Sequence, residues 1–170
     1  MPDTIKTING IAVASIKTVQ GIAKAALKTF NGISLAGPKL YWRVSNIVTS
    51  ATTLEISELR FFVGAADVTG DGTMSSSSAP SPGTLANLVD GSTGTRAYWG
   101  STSGLTIKMT FATNQEISAL KLGSFDDSPR FPTDITLEYS TDDASWTAAG
   151  TATGISWPGV RTLSGAISIP

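Results

Sequence analysis

The 170-residue sequence contains neither cysteine nor histidine. Without cysteine there are no disulfides and no thiolate metal sites, and folding calls for no particular redox compartment. Without histidine the usual general base, the usual zinc ligand and the usual pH switch are missing together. Charge is sparse, at 15% Asp, Glu, Lys and Arg with a formal net of −1. No run of about 18 apolar residues offers a membrane span, and the N-terminus lacks a charged segment followed by an apolar stretch and cleavage site. No membrane insertion is expected. Gly-x-Ser-x-Gly, Walker and dinucleotide motifs are also absent, so few groups remain for nucleophilic catalysis. The 13 acidic residues could supply a glycosidase pair only inside a deep cleft, which a sandwich of this size seldom has. A non-enzymatic protein is expected, with no cofactor.

What the sequence does hold is an abundance of Gly, Ser, Thr and Ala, which suits short strands joined by tight turns. It also holds a repeat: "IKTINGIAVAS", "IKTVQGIAKAA" and "LKTFNGISLAG" run in tandem from Ile5 to Gly37. The Lys-Thr, Gly and Ile columns are invariant. An eleven-residue period is compatible with a helix of about 3.67 residues per turn, and "AKAALKTF" is a plausible helical stretch. Gly10, Gly21 and Gly32 oppose it, each costing roughly 1 kcal/mol inside a helix relative to alanine. In the β reading, "IKTI" and "IAVA" are short strands around an Asn-Gly turn, and the glycines favour this reading. One such strip has too little apolar area to stand alone, so it is expected to pack against copies of itself or a host surface.

The repeat string resembles the "IKT-x-NG" repeats near the termini of tailed-bacteriophage virion proteins, over residues 1–37. That resemblance implies a virion structural protein at the particle surface, with this segment serving attachment or oligomerisation. Its partners would be other virion proteins and itself, a trimer being favoured by analogy with phage fibres. The apolar columns Ile5, Ile16, Leu27 and Ile11, Ile22, Ile33 are then the docking residues. A flexible leader is the competing reading, although it leaves the strict period unexplained. Residues 1–37 carry four lysines against Asp3, a net +3 that leaves −4 for the remainder. With no arginine or interleaved aromatic beside them, these lysines read as a solvated face rather than a nucleic-acid surface.

Gly37-Pro38 punctuates a boundary, and residues 38–170 read as one domain. "KLYWRVSNI" and "TLEISELRFFV" alternate as strands do, and "LTIKMTFA", "ISALKLGSF", "TDITLEYS" and "RTLSGAISI" follow between turn signals. Residues 64–84, rich in Gly, Ser and Pro, read as an extended surface loop. So many short strands indicate an all-β sandwich or barrel.

The order of these features resembles the discoidin family, the coagulation-factor type C domain, over about residues 38–169. Its sharpest elements are the string from Asp90 to Trp99 and the Pro-x-x-Ile-x-Leu-x-x-Ser-x-Asp-x-x-x-Trp string from Pro132 to Trp146. The resemblance implies an eight-stranded antiparallel jelly roll whose loops at one end hold a ligand, most often a glycan. Many glycan-binding relatives hold a calcium ion beside the Asp-Gly turn, and Asp90, Thr93 and Thr95 match that turn with oxygen ligands of the kind calcium takes. The C-terminal stretch "RTLSGAISIP" lacks the acid that completes such a site, and the alternative is that Asp90 only fixes an Asx-type turn.

Trp42, Trp99 and Trp146 fall where the family packs its core. Trp157, beside a proline in "GISWPGV", has no such role. Together with Phe125, Asp126, Asp127 and Arg130 of "FDDSPRF" it offers an aromatic face and polar groups of the kind that bind the C–H faces and hydroxyl edges of sugars. The bland reading makes Phe125 a loop anchor and Arg130 a partner for nearby acids. Two functions stay open: a virion structural protein displaying this domain, with a host-surface glycan as a further partner, and a carbohydrate-binding module for which the repeats are only a tether.

Overall fold

In the computed structural model the repeats and the domain form two separate units, Met1–Pro38 and Lys39–Pro170. The structure describes residues 39–168 throughout and, before them, six two-residue strands. These are β1 (Thr7–Ile8), β2 (Ile11–Ala12), β3 (Thr18–Val19), β4 (Ile22–Ala23), β5 (Thr29–Phe30) and β6 (Ile33–Ser34). They pair antiparallel within each repeat, with Ile8 opposite Ile11, Val19 opposite Ile22 and Phe30 opposite Ile33. Each pairing leaves two residues between its strands, Asn9-Gly10, Gln20-Gly21 and Asn31-Gly32. This is the spacing of a two-residue hairpin loop. The β alternative is therefore the one adopted. Ile5, Ile16 and Leu27 lie outside the described residues, as do the side chains of Ile11, Ile22 and Ile33.

The domain contains β7 (Tyr41–Val48), β8 (Leu54–Ile56), β9 (Glu58–Val63), β10 (Ala66–Asp67), β11 (Gly72–Ser76), β12 (Ala97–Trp99), β13 (Ile107–Phe111), β14 (Ala119–Gly123), β15 (Asp134–Ser140), β16 (Thr147–Ala152) and β17 (Ile167–Ser168). A five-stranded sheet has the order β11-β13-β7-β15-β16, a four-stranded sheet β10-β9-β14-β17, and β12 pairs with β8 in a short ladder. Every pairing is antiparallel. Among the described residues no helix is long and apolar enough to cross a membrane.

Alternation fixes the faces. Along β13, Ile107, Met109 and Phe111 are buried while Lys108 and Thr110 are half-exposed, the period-two pattern of a sheet with one face dry and one wet. The dry faces meet in one core that joins Trp42, Val44, Met109 and Leu137 of the larger sheet to Leu59, Phe61, Leu120 and Leu122 of the smaller. Phe61 and Phe111 touch edge to face across it, with centroids 6.2 Å apart and planes at 81°, a favoured geometry for paired rings.

Two expectations change. Residues 64–84 are not one loop: they hold β10, a 3-10 turn at Thr69–Asp71, and β11, an edge strand of the larger sheet. The composition hid β11 because only Met74 packs on the core, while Gly72 lies against Met109 and Phe111, where a side chain would collide. Trp146 is not a core residue either. Trp42 and Trp99 are buried, but Trp146 is half-buried and its ring centroid stands 4.1 Å from the Arg43 guanidinium carbon. Arg43 is half-exposed on β7 between the buried Trp42 and Val44, so strand alternation sets it on the outer face and holds Trp146 there with it.

Candidate functional site

The loop from Phe125 to Phe131 joins β14 to β15 and is stitched to the segment after β16 by Ser124. The Ser124 backbone N–H donates to Thr162 O at 3.0 Å, its hydroxyl donates to the Gly159 carbonyl and accepts from Thr162 N at 3.0 Å, and Arg161 N donates to Phe125 O at 2.9 Å. Because Ser124 is fully buried, these bonds are shielded from water, where they hold most firmly. A 3-10 turn at Ser128–Arg130 carries a proline in its first positions, and Ala51 N donates to Pro129 O at 2.9 Å.

These contacts bring three arginines, three carboxylates and two aromatic rings together. Arg161 forks onto Asp126, with Nε 2.9 Å from Oδ1 and Nη2 3.1 Å from Oδ2. The Arg161 hydrogen bond holds the Asp126 carboxyl below the usual range, and Asp126 in turn raises Arg161. Arg130 Nε lies 3.1 Å from Asp127 Oδ2, and its Nη1 lies 3.3 Å from Oε2 of Glu55. Arg96 Nη1 reaches the same Oε2 at 3.0 Å. The guanidinium carbons of Arg96 and Arg161 stand 4.9 and 4.8 Å from the Phe125 centroid, and that of Arg130 stands 5.4 Å from Tyr98. Such cation–ring contacts contribute about 0.5–1 kcal/mol at exposed sites.

The sequence therefore placed Phe125, Asp126, Asp127 and Arg130 in one cluster but did not include Glu55, Tyr98, Arg96 or Arg161. Glu55 was concealed as a charged residue in an alternating strand, where a wet face is the default. It is buried instead, and its second oxygen, Oε1, has no hydrogen-bond partner among the described residues. Trp157 stands four residues before Arg161 and is 37% exposed. Among the described residues no hydrogen bond or ring contact joins it to the cluster.

At the Asp-Gly turn, Asp90 Oδ1 accepts from Ser92 N at 2.8 Å and Oδ2 accepts from the Thr95 hydroxyl at 2.7 Å. The Thr95 bond is the main reason the Asp90 carboxyl is held below its ordinary value. Thr93 is half-buried on the same turn. Calcium takes six to eight oxygens, and this donor set does not fit it: both Asp90 oxygens already accept internal bonds, and a β-carbon on Gly91 would sit 3.6 Å from the Arg60 guanidinium. Glu58, an acid that interacts with Asp90, is itself paired to Arg60 Nε at 2.6 Å. Among the described residues no group of three acidic side chains is gathered that could hold a metal ion. The turn is an Asx-type turn in its geometry.

Compared with protein-family models, with curated proteins and with solved structures, the chain finds no match in any of the three.

Proposed function

We propose that the chain is a non-enzymatic structural protein of a tailed-bacteriophage particle. Its hairpin repeats dock it on other virion proteins and on copies of itself, a trimer being the favoured assembly, and its discoidin-like jelly roll projects a loop surface toward host glycans. The observation that carries the reading is the threefold hairpin, with Ile8, Val19 and Phe30 opposite Ile11, Ile22 and Ile33 in the same register each time. Equivalent groups at a fixed interval suit a contact made repeatedly, and hairpins this short need a partner to be stable.

The loop cluster supports the second half. Arg96, Arg161 and Asp126 present fixed donors and acceptors around Phe125, and sugars require such polar groups beside an apolar face. Antibody labelling of purified particles from cells that express the chain tests the virion assignment: label on particles supports it, and a chain that accumulates in lysates but never on particles overturns it. The alternative, a carbohydrate-binding module on a passive tether, is favoured by the same loop cluster. It gains if the full chain binds glycans on an array and stays monomeric.

A further inference from the structure

We propose that the outer face of the five-stranded sheet is a second binding surface, a trough that takes a single chain of a neutral polysaccharide. It lies apart from the loop cluster, shares no residue with it and does not depend on the virion reading.

Two hollows of about 460 and 280 Å³ open on this face, and both are lined by Arg43 and Thr106. They are therefore neighbours along one trough, of the size at which small-ligand sites begin, roughly 300–1,000 Å³. An ordinary solvated sheet face is polar without being hollow. The wider hollow adjoins a bulge in β7, where Asn46 and Ile47 face Ile135 alone, between the pairs Asp134–Val48 and Thr136–Ser45. Asn46 takes a left-handed φ of 48° there, a conformation asparagine tolerates better than most residues. Bulges bend a strand and re-aim its side chains.

Strand register then fills the trough with one kind of chemistry. Ser75, Lys108, Arg43 and Glu138 stand opposite one another on β11, β13, β7 and β15, four strands that span roughly 14 Å at the usual spacing. In the next row Ser45, which lines the wider hollow, stands opposite Thr136. Arg43 Nε binds Glu138 Oε2 at 2.6 Å, and Lys108 Nζ binds Asp143 Oδ2 at 2.7 Å. Both cations that line the trough are thus already neutralised. A polyanion would find no excess positive charge, whereas a neutral hydroxylated chain meets donors and acceptors in alternation.

Two further features point to a ligand. Trp146 lines the narrower hollow and presents a half-buried ring beside Arg43, which Glu138 and Trp146 together hold in place, so little side-chain freedom is lost on binding. Ser45 lines the wider hollow and is 6% exposed, yet its hydroxyl has no partner at hydrogen-bonding distance and angle. Burial pushes Glu138 up, and the hydrogen bond from Arg43 helps to outweigh it.

The test is calorimetric titration of the full chain with neutral hexasaccharides of glucose, mannose and galactose, and with a hexamer of galacturonic acid. At least one neutral hexamer is expected to bind, with affinity reduced tenfold or more by Trp146→Ala and by Ser75→Trp, which blocks the trough from an exposed position. Melting curves check that both variants fold, and loss in either folded variant supports the trough. It is overturned if no neutral hexamer binds, if the acidic hexamer binds as well or better, or if both folded variants keep full affinity. Loss on Arg161→Ala with both trough variants intact also overturns it, and places binding at the loop cluster instead.

Discussion

Glu55 and Arg130 are 75 residues apart in sequence, yet the buried carboxylate accepts from the loop arginine at 3.3 Å. A side chain singled out for a surface site is thereby tied to the interior. Arg130→Ala is expected to lower stability by about 1 kcal/mol, less than the roughly 3–5 kcal/mol of a fully buried pair, because Arg130 is 38% exposed and Glu55 keeps Arg96. Arg161→Ala, whose pair with Asp126 is half-exposed on both sides, should leave stability unchanged within error. Urea unfolding of the two variants side by side checks the contrast, and equal midpoints would remove the structural role of Arg130.

Acid should act on two carboxylates in opposite senses. Asp142, in the turn between β15 and β16, accepts from the N–H groups of Ser145 and Ala144 and from the Ser140 hydroxyl, and its pKa is lowered to about 2. A folded value below the unfolded one means stabilisation that is present above pH 3.8 and lost as pH falls toward 2. Glu58 is raised above 4.5, chiefly by burial, with Arg60 opposing. Its contribution therefore declines as pH rises through 4.5 and beyond. Melting temperatures between pH 2 and 7 should show Asp142→Asn flattening the acid limb, and Glu58→Gln melting higher relative to wild type near neutrality than near pH 4. Parallel profiles for all three proteins would contradict both assignments.

Gly123 ends β14 where a β-carbon would run into the Ser57 hydroxyl and into Glu58. Gly123→Ala should cost about 2 kcal/mol, the range of overpacking in a close-packed interior. Gly100→Ala, which meets open space, is the control that thermal melts should find nearly neutral.

Replacing Ile11, Ile22 and Ile33 together by Asp should abolish self-association and incorporation into particles, since burying a carboxylate against apolar neighbours costs on the order of 2 kcal/mol or more for each. Light scattering on the free protein and the protein content of purified particles measure this. Normal assembly of the triple variant would reduce the repeats to a passive leader.

The fold class was legible because alternation is local: "LTIKMTF" states its own buried and exposed faces, and the Asn-Gly pairs state their own turns. β11 was not legible, because an edge strand built from Gly, Thr, Met and Ser shows almost no apolar signal of its own. Phe125, Asp126, Asp127 and Arg130 could be grouped from sequence because they are contiguous. Glu55, Arg96 and Arg161 could not, since only sheet register and the Ser124 stitching bring them there. Trp146 misled for the same reason: its spacing matched a core pattern, while its burial depended on Arg43, more than a hundred residues away.

Each of the three hairpins closes on itself, and among the described residues no strand of one repeat pairs with a strand of another. The segment is therefore modular in a physical sense. A chain with two or four copies would keep the ladder inside each of them, and a gain or loss of eleven residues would add or remove one whole hairpin without altering the register of the others or the pairing inside the sandwich. Under the docking role proposed above, copy number would set the grip of the assembly and its spacing without any change to the domain, and each part is free to change at its own rate.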